Sequence, residues 1–169
     1  AMVDFHERRG ATATISLAQV DDPSAFGLVP VDDEGRVIAF LEKPAPGAVP
    51  PAPTQASARG HLVNAGTYVL EPSVLDLIPE GRRTSIEREV FPALAAAGRL
   101  YGFVSPDYWT DTGTPRQYLD AQLDLVTGRR PGPPVPGARP AGNGVWTIGT
   151  VTVPDGLQGP AVIGDGAVV

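Results

Sequence analysis

The sequence predicts a mixed α/β domain followed by a short β-solenoid segment, and three observations carry that prediction. Short apolar runs rich in β-branched and aromatic residues (ATATISLAQV, HLVNAGTYVL, LYGFV) have strand character. Stretches with helix-capping residues and helical apolar spacing stand among them. From Val145 onward, aliphatic residues recur every six positions in a background of Gly, Thr, Pro and Asp.

In chain order, Val3 to Arg9 reads as a helix closed by Gly10, and ATATISLAQV as a strand ending in a turn at Asp21-Asp22-Pro23. GLVPV and RVIAFLE flank Asp32-Asp33-Glu34-Gly35, which reads as a hairpin turn. HLVNAGTYVL is the next strand, with an irregular point expected at its internal Asn-Ala-Gly. Pro72 to Ile78 suits a short helix. Thr84-Ser85-Ile86-Glu87 reads as a capping box that opens a helix running to about Ala97, with Ile86, Val90 and Leu94 on its buried face. LYGFV is a strand. Thr114-Pro115-Arg116-Gln117 places a hydroxyl at the N-cap, proline at the first helical position and glutamine three residues past the cap, so a helix begins there and runs to about Thr127. Leu119, Leu123 and Val126 share one of its sides. The order is a mixed layer and not a βαβ repeat.

The proline-dense segments divide the chain. Pro44, Pro46, Pro50, Pro51 and Pro53 mark a long loop, and Pro131, Pro133, Pro134, Pro136 and Pro140 mark a linker. The expected organisation is a domain over 1–128, a linker over 129–142 and a hexapeptide-repeat segment over 143–169. In that last segment Val145, Val151, Leu157, Ile163 and Val169 would point into a parallel β-helix. The chain stops in register at Val169, so the solenoid is expected to be cut short.

With 42% hydrophobic residues, 169 residues can bury a core. No run approaches the roughly 18 apolar residues that span a bilayer, and the N-terminus has no apolar signal core. A cytoplasmic protein without a membrane partner is therefore expected. The absence of cysteine excludes disulfides, thiolate metal sites and cysteine nucleophiles. A net charge of -6 without a basic cluster argues against nucleic acid as a partner.

One carboxylate stands out. Asp111 lies after the strand LYGFV and just before the capped helix, the edge where α/β proteins build sites. With Thr114 already supplying the cap, Asp111 is free for other work; its bland alternative is support of the helix dipole. Glu42-Lys43-Pro44 ends a strand with a charged pair pinned by proline, which by itself could be an ordinary exposed pair. His6 and His61 read as surface or satisfied histidines, Trp109 and Trp146 as packing residues, and Glu87 and Arg88 as capping and packing residues outside any site.

Four segments in fixed order, FGLVPVDDEGRVIAFLEKP, NAGTYVL, TSIEREVFP and YWTDTGTP, together resemble the sugar-nucleotide pyrophosphorylases, or nucleotidyltransferases. The last two look most like the mannose-1-phosphate guanylyltransferase branch. The resemblance spans about Val3 to Gly128, and the hexapeptide tail is similar to the left-handed β-helix that many members append. It implies the C-terminal half of a Rossmann-like nucleotidyltransferase domain. It also implies a reaction in which a sugar 1-phosphate oxygen attacks the α-phosphate of a nucleoside triphosphate and, with Mg²⁺, expels pyrophosphate. By resemblance Asp111 is a Mg²⁺ ligand, Glu42 accepts sugar hydroxyls, Lys43 contacts the sugar phosphate, Asn64 hydrogen-bonds the sugar and Gly27 lets the sugar approach the backbone; Asp111 and Lys43 are the catalytic pair.

The family's glycine-rich nucleotide loop and second metal-binding aspartate have no counterpart in these residues. Ala1-Met2 reads as an expression remnant or a cut inside a longer chain, and the chain alone is expected to be inactive. A noncatalytic regulatory or assembly paralogue, with oligomer contacts through the sheet edge or the β-helix, stays open. So does a glucose-1-phosphate uridylyl-, thymidylyl- or adenylyltransferase. A hexapeptide acyltransferase is set aside, because neither histidine lies in the repeat region.

Overall fold

The computed structural model of the protein describes residues 1–42 and 60–168, with the Glu42 side chain excepted. It forms two compact units, Ala1–Asp107 and Tyr108–Val169.

The first unit is built on five strands. They are β1 (Ala13–Val20), β2 (Gly27–Leu28), β3 (Leu41–Glu42), β4 (His61–Leu70) and β5 (Leu100–Val104), in the spatial order β3-β2-β4-β1-β5. β1 runs antiparallel to β4 and parallel to β5, so the sheet is mixed. Ala13, Ile15 and Leu17 of β1 alternate into the core, where they meet Val29, Leu62, Phe91 and Leu94. Phe91 is fully buried, with ring centroids 5.5 Å from Phe40 and 5.0 Å from Tyr68. Burial of a side chain of that size stabilises by about 3 kcal/mol. Thr14 alternates to the other side of β1, where helix α1 (Met2–Arg9) supplies His6. His6 is buried, with Nδ1 2.8 Å from the Thr14 hydroxyl and Nε2 3.2 Å from Glu71 Oε1, so both ring nitrogens are satisfied. Pro72–Leu77 is a 3₁₀ helix.

Two differences from the sequence reading have physical reasons. GLVPV and RVIAFLE form less strand than expected, because Pro30 has no N–H to continue β2 and the second arm changes partners. The turn itself is as expected: Asp32 accepts from the backbone N–H of Glu34 and Arg36, and Gly35 N–H donates to Asp32 O. Val37 N–H then donates to Leu100 O and Gly102 N–H to Gly35 O, after which Ile38 N–H returns to Pro30 O. The outer side of β5 is thereby paired around Leu100 to Gly102 and is not a bare edge there.

The second difference is in the helix after Thr84. The cap is Ser85: its hydroxyl accepts from Arg88 N–H, and its own N–H donates to Glu89 Oε1 at 3.0 Å. One residue beyond the expected register, the helix opens with a π turn, Ile86–Val90, and continues as α2 (Phe91–Ala96). Pro92 lacks the N–H that the carbonyl of Arg88 would receive in an α ladder, which accounts for the irregular first turn.

In the second unit, α3 (Pro115–Val126) begins as expected, with Thr114 Oγ1 accepting from Gln117 N–H at 3.2 Å. Its apolar side is not a core face, since Leu119 is 51% exposed and Leu123 38%. β6 (Arg139–Gly142), β7 (Val145–Thr147) and β8 (Ala161–Ile163) form a three-stranded sheet in that order. β7 and β8 are parallel, pairing Val145 with Ala161 and Thr147 with Ile163. Among the six-residue-period aliphatics, Val145 and Ile163 are buried, Val151 and Leu157 are half-buried, and Val169 lies outside the described residues. Trp146 is a packing residue whose Nε1–H donates to Val126 O at 2.8 Å.

Candidate functional site

Three of the five residues singled out from the sequence meet at one end of the first unit's sheet. Gly27 of β2 pairs with Glu42 of β3, and Leu28 pairs with Val63 of β4. One step along that antiparallel register, Asn64 comes opposite Gly27, so β3, β2 and β4 present Glu42, Gly27 and Asn64 in a row. Gly27 is buried. Lys43 follows directly on Glu42 and lies outside the described residues.

Asn64 sits at a defect in its strand. Ile15 pairs with Tyr68 but Leu17 pairs with Asn64, so Ala65, Gly66 and Thr67 bulge opposite the single residue Ser16. Gly66 has φ 78°, a left-handed conformation that a side chain would strain. Its N–H donates to Asn64 Oδ1 at 2.9 Å, an Asx turn that fixes which way the amide faces. Asn64 Nδ2 then donates to Glu87 Oε1 at 2.7 Å and to the Tyr68 hydroxyl at 2.9 Å, and the Tyr68 hydroxyl reaches the same Glu87 oxygen at 3.5 Å.

Glu87 is therefore the polar partner that the sequence reading assigned to capping. Once the cap moves to Ser85, Glu89 takes the capping role and Glu87 is released toward β4. The Ser85 N–H, with help from the Arg82 guanidinium, holds the Glu89 carboxyl below the usual carboxylate range. The available signal was Asn64 itself: an amide in a strand bulge needs an acceptor for its two N–H groups.

Asp111 belongs to the second unit. It lies in the segment before α3, half-buried, and its carboxylate has no hydrogen-bond or ion-pair partner among the described residues. Gly113 lies against it: a Cβ added there would stand 3.2 Å from Asp111 Oδ2. The preceding residues are anchored to α3, with the Tyr108 hydroxyl donating to Asp124 Oδ2 at 2.8 Å and Arg129 pairing with Asp124 Oδ1 at 2.9 Å. Burial and the Asp124 carboxylate push the Tyr108 hydroxyl pKa up, so Tyr108 stays a donor. No group of three metal-ligating side chains occurs among the described residues. A lone unpaired carboxylate nevertheless suits Mg²⁺, which takes one or two protein carboxylates and completes its shell with phosphate oxygens and water.

The chain is 42% identical to a mannose-1-phosphate guanylyltransferase of Mycobacterium tuberculosis, covering 99% of this chain and 47% of that protein. It is 40% identical to the probable mannose-1-phosphate guanylyltransferase 3 of Arabidopsis thaliana, covering 98% of this chain and 44% of the other. The mannose-1-phosphate guanyltransferase of Candida albicans matches 75% of this chain at 38% identity. The chain thus spans about half the length of the curated relatives it matches most fully. A sequence model described as nucleotidyl transferase matches residues 1–128, and with three-quarters of its length so matched the chain belongs to the nucleotidyl transferase family.

Proposed function

We propose that this chain supplies the sugar-phosphate side of a sugar-1-phosphate nucleotidyltransferase that joins mannose 1-phosphate to the GMP moiety of GTP. A phosphate oxygen of the sugar 1-phosphate forms a bond to the α-phosphorus of GTP, the bond from that phosphorus to the bridging oxygen breaks, and pyrophosphate leaves. The observation that carries the reading is the row of Glu42, Gly27 and Asn64 across β3, β2 and β4. A buried glycine without a side chain, in register with an acidic residue on one strand and an asparagine on the other, suits a polyhydroxylated ring laid against backbone. The names of the relatives supply mannose and the guanylyl group.

Lys43, which follows Glu42 in sequence, is the phosphate contact in this reading, an ammonium acting as a point charge. Asp111 would hold Mg²⁺, which when bound neutralises charge on the phosphates during transfer. Asp111 itself contributes a carboxylate without a partner among the described residues, kept uncrowded by Gly113. In this reading residues 1–128 are the sugar-phosphate-binding part of the nucleotidyltransferase domain, 129–142 a linker whose last residues pair with β7 as β6, and 143–169 the start of a left-handed β-helix, for which parallel pairing of β7 with β8 is the support. These residues contain no glycine-rich loop to cradle a triphosphate, so turnover requires a nucleotide-binding half. A cytoplasmic location fits such a biosynthetic role, and among the described residues no helix is long and apolar enough to cross a membrane. Self-association through the solenoid is part of the same proposal.

The test at this site is Lys43→Met, which keeps the aliphatic stem and deletes the charge. Calorimetric titration with mannose 1-phosphate is expected to show affinity lowered by about tenfold, the scale of one charge-assisted hydrogen bond, with the melting temperature unchanged. Unchanged affinity would return Lys43 to an ordinary surface charge.

A further inference from the structure

Glu87 stands apart from every residue assigned so far. It is fixed at one oxygen and free at the other. Oε1 receives the Asn64 amide at 2.7 Å and the Tyr68 hydroxyl at 3.5 Å, whereas Oε2 has no partner among the described residues. The residue is half-buried and lines an open cleft of about 700 Å³ together with Arg83, Thr84, Ser85, Arg88 and Glu89. Neither of those two guanidiniums has a partner among the described residues.

The hydrogen-bond inventory of the cluster decides what it can bind. Asn64 has two N–H groups, and both are spent, one on Glu87 and one on Tyr68. Its Oδ1 already accepts from Gly66 N–H and has one lone pair left. What Asn64 and Glu87 together still offer a ligand is acceptors only, one of them charged. Such a surface repels a phosphate and attracts hydroxyl hydrogens.

We infer that Glu87 is a sugar-binding residue, its free Oε2 accepting a hydroxyl of the bound sugar while Oε1, locked by Asn64 and Tyr68, holds the carboxylate in place. This rests on the reading of the site as a sugar 1-phosphate site, and it changes the part played by Asn64. With its donors used internally, Asn64 acts largely by aiming Glu87. The cleft then has an acceptor for sugar hydroxyls at Glu87, with Arg83, Arg88 and Glu89 also in its lining, and the phosphate contact stays with Lys43.

The experiment titrates this chain with mannose 1-phosphate and, separately, with inorganic phosphate, for the wild type, Glu87→Ala, Glu87→Gln and Asn64→Ala. Glu87→Ala is expected to weaken mannose 1-phosphate tenfold or more and to leave inorganic phosphate unchanged. Glu87→Gln keeps an acceptor for Asn64 but loses the charge, so a smaller loss is expected; it also carries the test if the alanine variant does not fold. In a ¹⁵N spectrum the side-chain amide pair of Asn64 should move in Glu87→Ala and hold its position more closely in Glu87→Gln. Mannose 1-phosphate affinity unchanged in both Glu87 variants would overturn the inference and leave the proposed function standing. Equal weakening of both ligands would also overturn it, because the residue would then act through the fold. Failure of the wild-type chain to bind mannose 1-phosphate would overturn the proposed function and this inference together.

Discussion

Asp111→Asn, placed in a polypeptide that also carries a nucleotide-binding half, is expected to fold normally and to lose turnover by about 10²–10³-fold. A ligand carboxylate contributes charge stabilisation worth several kcal/mol in the transition state, and each 1.36 kcal/mol is tenfold in rate. Asparagine retains the size of the side chain but offers the metal a neutral oxygen. Nothing else should suffer, since the carboxylate makes no hydrogen bond or ion pair with the described residues whose loss would loosen the structure. The check is kcat at saturating Mg²⁺ alongside the melting temperature. Near-normal kcat would remove Asp111 from the metal site and return it to the helix dipole of α3.

The second large effect is structural. Gly102→Val is expected to destabilise the first unit by about 3 kcal/mol or more, the upper range for overpacking a filled core. A Cβ at Gly102 would collide with Leu17 Cδ1 and stand 2.8 Å from Val31 Cγ1, and both neighbours are buried with little room to turn away. The strand conformation of Gly102 is not the obstacle; the space is. Gly164→Ala is the control, because nothing lies within 4 Å of the added carbon. Thermal unfolding should separate the two, with a drop of roughly 6–12 °C for the valine variant and almost none for the alanine. A Gly102→Val protein as stable as the wild type would mean that β5 is not packed against Leu17 and Val31 in this way.

These sites differ in how far the sequence announced them. Strand β4 and its defect were legible because apolar residues flank Asn-Ala-Gly on both sides, and only a bulge reconciles a turn pair with a continuing strand. The α3 cap was legible because Thr114, Pro115 and Gln117 interact locally. The hairpin arms were read too long, since periodicity does not show that Val37 hydrogen-bonds to β5 while Ile38 returns to Pro30. Leu119 and Leu123 have the spacing of a core face, yet spacing alone does not say what covers a helix. Glu87 was missed for a narrower reason. A one-residue slip of the cap, from Thr84 to Ser85, transfers the capping role to Glu89, and only the folded chain brings Glu87 across to Asn64. Gly27, Glu42 and Asn64 were named one by one from the family resemblance of their motifs, and the register of three strands shows how such distant segments become neighbours.

The central claim is that these residues bind the sugar 1-phosphate and leave the nucleoside triphosphate to another half. The most direct measurement is saturation-transfer NMR on the purified chain with mannose 1-phosphate, GTP and Mg²⁺ present together. The account predicts saturation of the mannose ring protons and none above background on the guanine ring proton. Saturation of the guanine proton with the mannose protons silent would contradict it, and would place the nucleotide where the sugar is proposed to lie.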